Sequence, residues 1–186
     1  KYDPFRTTID GQSAVIGHNS THTNYGVTGW TRLGTDIVAT SASQSFGGEG
    51  LSLNDEGNII AIAAFADDET GTNRGSVNVF EYKTFFQRGN QGLKGDPIPG
   101  LTTEEYSGRS VSINSDATVV AIGAYSFDGG AGNNSGTTRI YEWNGSAWVL
   151  KGSQINGLTA GEESGSSVSI NSTGTIVAIG AHLNDE

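Results

Sequence analysis

One sentence of sequence is written several times along this chain, and that repetition limits the fold more than any other feature. Residues 107–124 read SGRSVSINSDATVVAIGA, residues 164–181 read SGSSVSINSTGTIVAIGA, and residues 47–64 read GGEGLSLNDEGNIIAIAA. A worn copy, TTIDGQSAVIGH, occupies residues 7–18. Val15, Ala61, Ala121 and Ala178 mark matching points, and the first interval is the shortest, its missing residues falling between His18 and Trp30. Self-similarity of this kind belongs to proteins that stack one small unit, because a single unit cannot bury its own apolar faces.

Each unit reads as a β-hairpin. Val111 and Ile113 alternate with Ser110, Ser112 and Asn114, the period of a half-buried strand. A polar turn follows, with equivalents at residues 54–57 and 171–174, built from Asn, Asp, Ser and Gly. The run Val119-Val120-Ala121-Ile122-Gly123-Ala124 then predicts a strand buried on both faces. Its small residues admit close backbone approach. Beyond a polar loop, residues 76–82 and 137–143 alternate as third strands. The Asn144-Gly145 turn leads into a fourth strand at residues 147–151, with counterparts read at 85–88 and 30–33. Linkers 98–106 and 155–163 are also copies of one another.

Four antiparallel strands per unit make a β-propeller blade. The expectation is an all-β chain of about three blades: a degenerate blade over 1–46, blades over 47–106 and 107–163, and the start of another over 164–186. A closed ring takes about 4–8 blades. The chain is therefore expected to belong to a partial propeller, completed by flanking sequence or by other chains. Lys1 at the start and the absence of Met agree with a processed or partial form.

Composition supports this reading and excludes others. The 186 residues include 28 Gly and only 34% hydrophobic residues, which suits short strands and tight turns. No apolar run is long enough to span a membrane as a helix. Without Cys there are no disulfides or thiolate metal sites. A net charge of −10 disfavours binding to a nucleic acid backbone.

The unit openings Phe46-Gly47-Gly48, Tyr106-Ser107-Gly108 and Glu163-Ser164-Gly165, with the closing pairs Gly123-Ala124 and Gly180-Ala181, resemble the FG-GAP repeat of integrin α-chain propellers. The VAIGA strand and the IYEWNGSAWV hairpin are similar to the bacterial and algal variant. The resemblance implies a secreted or cell-surface propeller used in adhesion or recognition, without enzymatic activity. Integrin-type blades often carry a Ca²⁺ loop in the first hairpin. The turns NDEGN, NSDAT and NSTGT lack three spaced carboxylates, so Asp55, Glu56 and Asp116 are read as turn residues.

Candidate site residues follow from strand order. In an up-and-down blade, the loops joining strands 2 and 3 and the links to the next blade share one side. Half of the 20 acidic residues fall there: Asp67, Asp68, Glu69, Glu104, Glu105, Asp128, Glu162, Glu163, Asp185 and Glu186. That side is expected to be acidic and to meet the partner, a protein or glycan surface or further copies or blades. Ca²⁺ is the candidate cation, at Asp67, Asp68, Asp128 and Asp185, with Glu69, Glu104, Glu105, Glu162 and Glu163 facing the partner. Trp30, Trp143 and Trp148 are read as packing between blades rather than as a sugar platform. His18, His22 and His182 lack the grouping of a zinc site. No catalytic residues are assigned. Two other uses stay open: a subunit of an extracellular fibre or virion-like assembly, and a propeller hydrolase or lyase with its active site outside these blades.

Overall fold

The computed structural model describes residues 13–22, 27–38, 45–69, 71–82 and 91–184. The chain is all-β, with no helix among the described residues. The strands are β1 (Ser13–His22), β2 (Val27–Val38), β3 (Phe46–Leu53), β4 (Ile59–Ala64), β5 (Ser76–Tyr82), β6 (Gln91–Leu93) and β7 (Ile98–Pro99). They continue as β8 (Ser110–Ile113), β9 (Val119–Ala124), β10 (Thr137–Trp143), β11 (Trp148–Leu150), β12 (Ile155–Asn156), β13 (Ser164–Ile170) and β14 (Val177–Ala181). Two antiparallel sheets, called blades below for their strand order, run β3-β4-β5-β6 and β8-β9-β10-β11, with β7 and β12 as short additions on β5 and β10. The pairs β1-β2 and β13-β14 form two-stranded sheets on either side in sequence. Every named strand pairing is antiparallel.

The repeated turn is closed by its asparagine. Asn114 Oδ1 accepts from the backbone N–H groups of Thr118 (2.9 Å) and Val119 (2.8 Å). Asn54 does the same for Asn58 and Ile59, and Asn171 for Thr175 and Ile176. A side chain that satisfies two donors in this way fixes a hairpin better than a generic polar loop. Asp116 accepts from the Thr118 backbone N–H and hydroxyl, so it is a turn residue as the sequence suggested.

All six residues of β4 and of β9 are buried. This matches the apolar runs, and each enclosed Ile there is worth about 1.5–3 kcal/mol. One cluster joins the two blades, with Ala61, Ala63 and Val77 on one side and Val111, Val120 and Ile122 on the other. Polar contacts repeat across the blade boundaries. Ile113 N–H donates to Ser52 Oγ (3.0 Å), and Ile170 N–H donates to Ser112 Oγ (3.1 Å). Thus the alternating Ser of each first strand, exposed in a lone hairpin, receives the next hairpin. Gly165 has φ 88°, and a Cβ added there would lie 3.2 Å from Gly123 Cα and closer still to the Thr137 carbonyl. Close approach of the blades therefore requires glycine at this position.

Three details differ from the sequence reading. The fourth strand described for the first complete blade is Gln91–Leu93, and the residues read as that strand, 85–88, lie outside the described residues. The repeated Leu-Lys-Gly at residues 93–95 and 150–152 carries that register. Near the start, β1 pairs directly with β2, so the shortened interval between His18 and Trp30 closes a two-stranded hairpin. Finally, β14 is not enclosed like β4 and β9. Ile176 just before it is 69% exposed, because β13 is its sole strand neighbour among the described residues.

Candidate functional site

The side of the blades that carries the long loops is knitted by backbone. Glu104, Tyr106 and Ser107 donate their N–H groups to the carbonyls of Thr72, Asn73 and Arg74. One repeat later, Gly161, Glu163 and Ser164 donate to Asn133, Asn134 and Ser135. Each link between blades therefore lies on the loop of the preceding blade. Asp68 Oδ1 accepts from Asn73 N–H (2.6 Å), and Asp128 Oδ1 accepts from Asn134 N–H (2.8 Å). Asn73 and Asn134 have φ of 45° and 51°, the left-handed geometry that these carboxylates stabilise.

The acidic residues divide into two groups. Asp68, Glu69, Glu104 and Asp128 are exposed. Glu163 is partly covered, and its carboxylate lies 3.5 Å from His182 Nε2. Asp67 is buried at 7% exposure, accepting from Ser76 Oγ (2.6 Å) and from Glu69 N–H (3.1 Å). Glu105 and Glu162 correct the reading that all these acids face a partner, because both are buried. Desolvating a carboxylate is unfavourable unless donors surround it, and both are supplied with them. Glu105 accepts from Leu101 N–H (2.8 Å), Thr102 N–H (3.2 Å) and Thr102 Oγ1 (2.8 Å). Arg139 closes the set with a two-pronged pair, Nη1 to Oε1 at 2.7 Å and Nη2 to Oε2 at 3.0 Å. Gln154 and the Phe127 ring hold the rest of the guanidinium.

Glu162 copies the loop part of this arrangement. It accepts from Leu158 N–H (2.8 Å), Thr159 N–H (3.1 Å) and Thr159 Oγ1 (2.9 Å). Its side chain is wrapped by its own loop, at 4% exposure, but lies at shallow depth. The Leu158 N–H bond, helped by Thr159, holds its pKa below the ordinary 4.5 against the opposing effect of burial. Asp185 and Glu186 lie outside the described residues.

An aromatic cluster on the same side goes beyond the residues picked out by sequence. Phe65 and Tyr125 follow the second strands of successive blades, and Tyr106 precedes β8 between them. Tyr106 lies 6.4 Å from Phe65 and 5.8 Å from Tyr125, centroid to centroid. The Arg109 guanidinium sits over both outer rings, 5.7 Å from Phe65 and 5.6 Å from Tyr125, and pairs with Glu49. All three rings are partly accessible. A signal exists in the sequence, since residues 65 and 125 are equivalent repeat positions, but the tryptophans are the more conspicuous aromatics.

Trp143 and Trp148 pack between blades. Their rings lie 5.4 Å apart, and Trp148 Nε1–H donates to the Lys94 carbonyl of the neighbouring blade (2.8 Å). Lys94 Nζ donates to Ala117 O (2.6 Å) and lies 5.4 Å from the Trp143 ring. Burial pulls the Lys94 pKa below its ordinary 10.5, against Glu81 and Asp116, which raise it. The side chain of Trp30 is not among those described.

Among the described residues, no three His, Asp or Glu side chains come together to hold a metal. Asp67 and Asp68 belong to one blade and Asp128 to the next, and each accepts a hydrogen bond from its own loop or the strand after it. No helix of the described residues is long and apolar enough to cross a membrane. Neither protein-family models nor curated protein sequences give a match to this chain.

Proposed function

We propose that this chain is a non-enzymatic recognition module, a run of FG-GAP-like propeller blades in a secreted or cell-surface protein. The observation that carries the proposal is the cluster of Phe65, Tyr106, Tyr125 and Arg109 on the loop side, set in backbone-locked loops. Rings with an arginine over two of them and a carboxylate paired to that arginine suit a mixed polar and aromatic protein surface or a sugar. Preformed loops lose little entropy on binding. Exposed Asp68, Glu69, Glu104 and Asp128 ring the same side with negative charge. Calcium enters this proposal as a bridge, one exposed carboxylate supplying part of its oxygens and a glycan the remainder.

A glycan array probed with the purified chain, with millimolar Ca²⁺ and with chelator, tests the reading. Binding that Tyr106→Ser with Tyr125→Ser abolishes, while the fold is kept, is the expected result. Binding that this double variant leaves intact would remove the cluster from the proposal. Turnover in a broad hydrolase and lyase screen would replace recognition with catalysis.

A further inference from the structure

Glu105 and Glu162 are the same device in successive repeats, but among the described residues only Glu105 has a cation on it. Both carboxylates take two backbone N–H groups and one threonine hydroxyl from the matching loop positions, at matching distances. Arg139 reaches Glu105 from β10, the third strand of the blade that follows the Glu105 loop. There Arg139 stands opposite Ile122 of β9, with Thr138 opposite Gly123 and Thr137 opposite Ala124. The blade that follows the Glu162 loop begins with β13 and β14, where Ile179, Gly180 and Ala181 repeat Ile122, Gly123 and Ala124. Among the described residues, β14 pairs only with β13, and no basic side chain bonds to Glu162.

We infer that β14 is an acceptor edge for an extended strand that brings an arginine opposite Ile179 and places its guanidinium on Glu162. The occupant is defined by its chemistry: a strand of the Thr-Thr-Arg type, apolar on one face, running antiparallel to β14. Two observations specify it independently. The unpaired edge of a strand templates another strand, and the antiparallel β9–β10 pairing, whose Ile122, Gly123 and Ala124 recur as Ile179, Gly180 and Ala181, supplies the direction and register. The enclosed carboxylate then selects arginine, whose fork satisfies both oxygens where lysine satisfies one. Ile176 at 69% exposure gives the incoming strand an apolar surface to cover. One position departs from the template: Phe127, which stacks on Arg139, corresponds to Asn184, so the second arginine lacks that ring. This inference stands apart from recognition on the loop side, and either can fail alone.

The test uses the whole chain and a labelled synthetic peptide with the sequence of residues 136–152. Fluorescence anisotropy should show saturable binding, weakened at least tenfold when the peptide arginine is citrulline, which keeps the shape and loses the charge. Glu162→Gln in the chain should cause a similar loss, and combining the two changes should add little. Hydrogen exchange should show slowed amides at Val177–Ala181 on binding. The citrulline peptide leaves the chain untouched, so the comparison holds even if Glu162→Gln fails to fold. No binding at millimolar peptide would overturn the inference, as would equal binding of the citrulline peptide or protection confined to other strands. Self-association of the chain through β14 that survives Glu162→Gln would also overturn it, by showing a second copy seated there without the arginine.

Discussion

At the residue scale, the buried Glu105–Arg139 pair is the most deeply enclosed ion pair described, with side-chain exposures of 0% and 2%. Such a pair is weak evidence for net stability, but removing one partner strands the other charge. Arg139→Leu is expected to cost about 3–5 kcal/mol in denaturant unfolding. Adding Glu105→Leu to it should recover part of that loss, because the double variant leaves no buried charge behind. A double variant whose loss is merely the sum of the two single losses would show that the pair is not coupled. Acid acts on neighbouring carboxylates in a definite direction. Glu162 and Asp116 both titrate below their ordinary values of 4.5 and 3.8 in the folded chain, Glu162 chiefly through the Leu158 N–H and Asp116 chiefly through the Thr118 hydroxyl. The unfolded chain binds those protons more readily, so their contribution is complete above the ordinary values and is lost as pH falls through the lower native ones. Thermal unfolding scanned downward from neutral pH should show this loss, and Glu162→Gln should flatten the profile. An unchanged profile would mean that Glu162 titrates alike in both states.

At the scale of elements, the repeated hairpin turn shows how one backbone accepts different residues. The turn position with positive φ is Gly57 (68°), Ala117 (54°) and Gly174 (68°). A methyl on Gly174 would lie 2.7 Å from Val119 Cγ2, whereas the Ala117 methyl is already accommodated in the core. Gly174→Ala should therefore destabilise by about 1–3 kcal/mol, from left-handed strain and overpacking together. A loss within error in denaturant melts would show that the turn relaxes. The contact between Lys94, just after β6, and Trp148 of β11 has its own handle. Trp148→Phe keeps a ring against Trp143 but loses the N–H bond to the Lys94 carbonyl. A cost of about 1 kcal/mol is expected, typical for one hydrogen bond. A loss well above that in denaturant melts would show that the indole packing, not its N–H, carries the contact.

At the scale of the molecule, a stack of blades is stabilised by nearest neighbours, so its protection should follow position. β4 and β9 lie buried throughout, whereas β14 is only partly covered. Native-state hydrogen exchange should be slowest in Ile59–Ala64 and Val119–Ala124. It should be clearly faster in Val177–Ala181, although residues 177–181 and 120–124 both read VAIGA. Equal protection in all three strands would show that β14 is covered in solution.

The sequence by itself determined the repeating hairpins, the polar turns, the strands of β4 and β9 and the all-β class. These are local properties: alternation, turn residues and apolar runs act over a few neighbours and recur in each copy. It also placed the acidic loops on one side, because strand order alternates the sides. Only the tertiary structure decided which acids face solvent. Glu104 and Glu105 are adjacent and chemically alike, yet one is exposed and the other is enclosed by residues 101 and 102 and by Arg139, which is far along the chain. Tertiary structure likewise decided that identical VAIGA strands differ in burial, since enclosure of a strand depends on neighbours that its own residues do not encode. It also gathered Phe65, Tyr106, Tyr125 and Arg109, which belong to two blades and the link between them. Composition could not reveal that cluster, because its geometry arises from how one blade packs on the next.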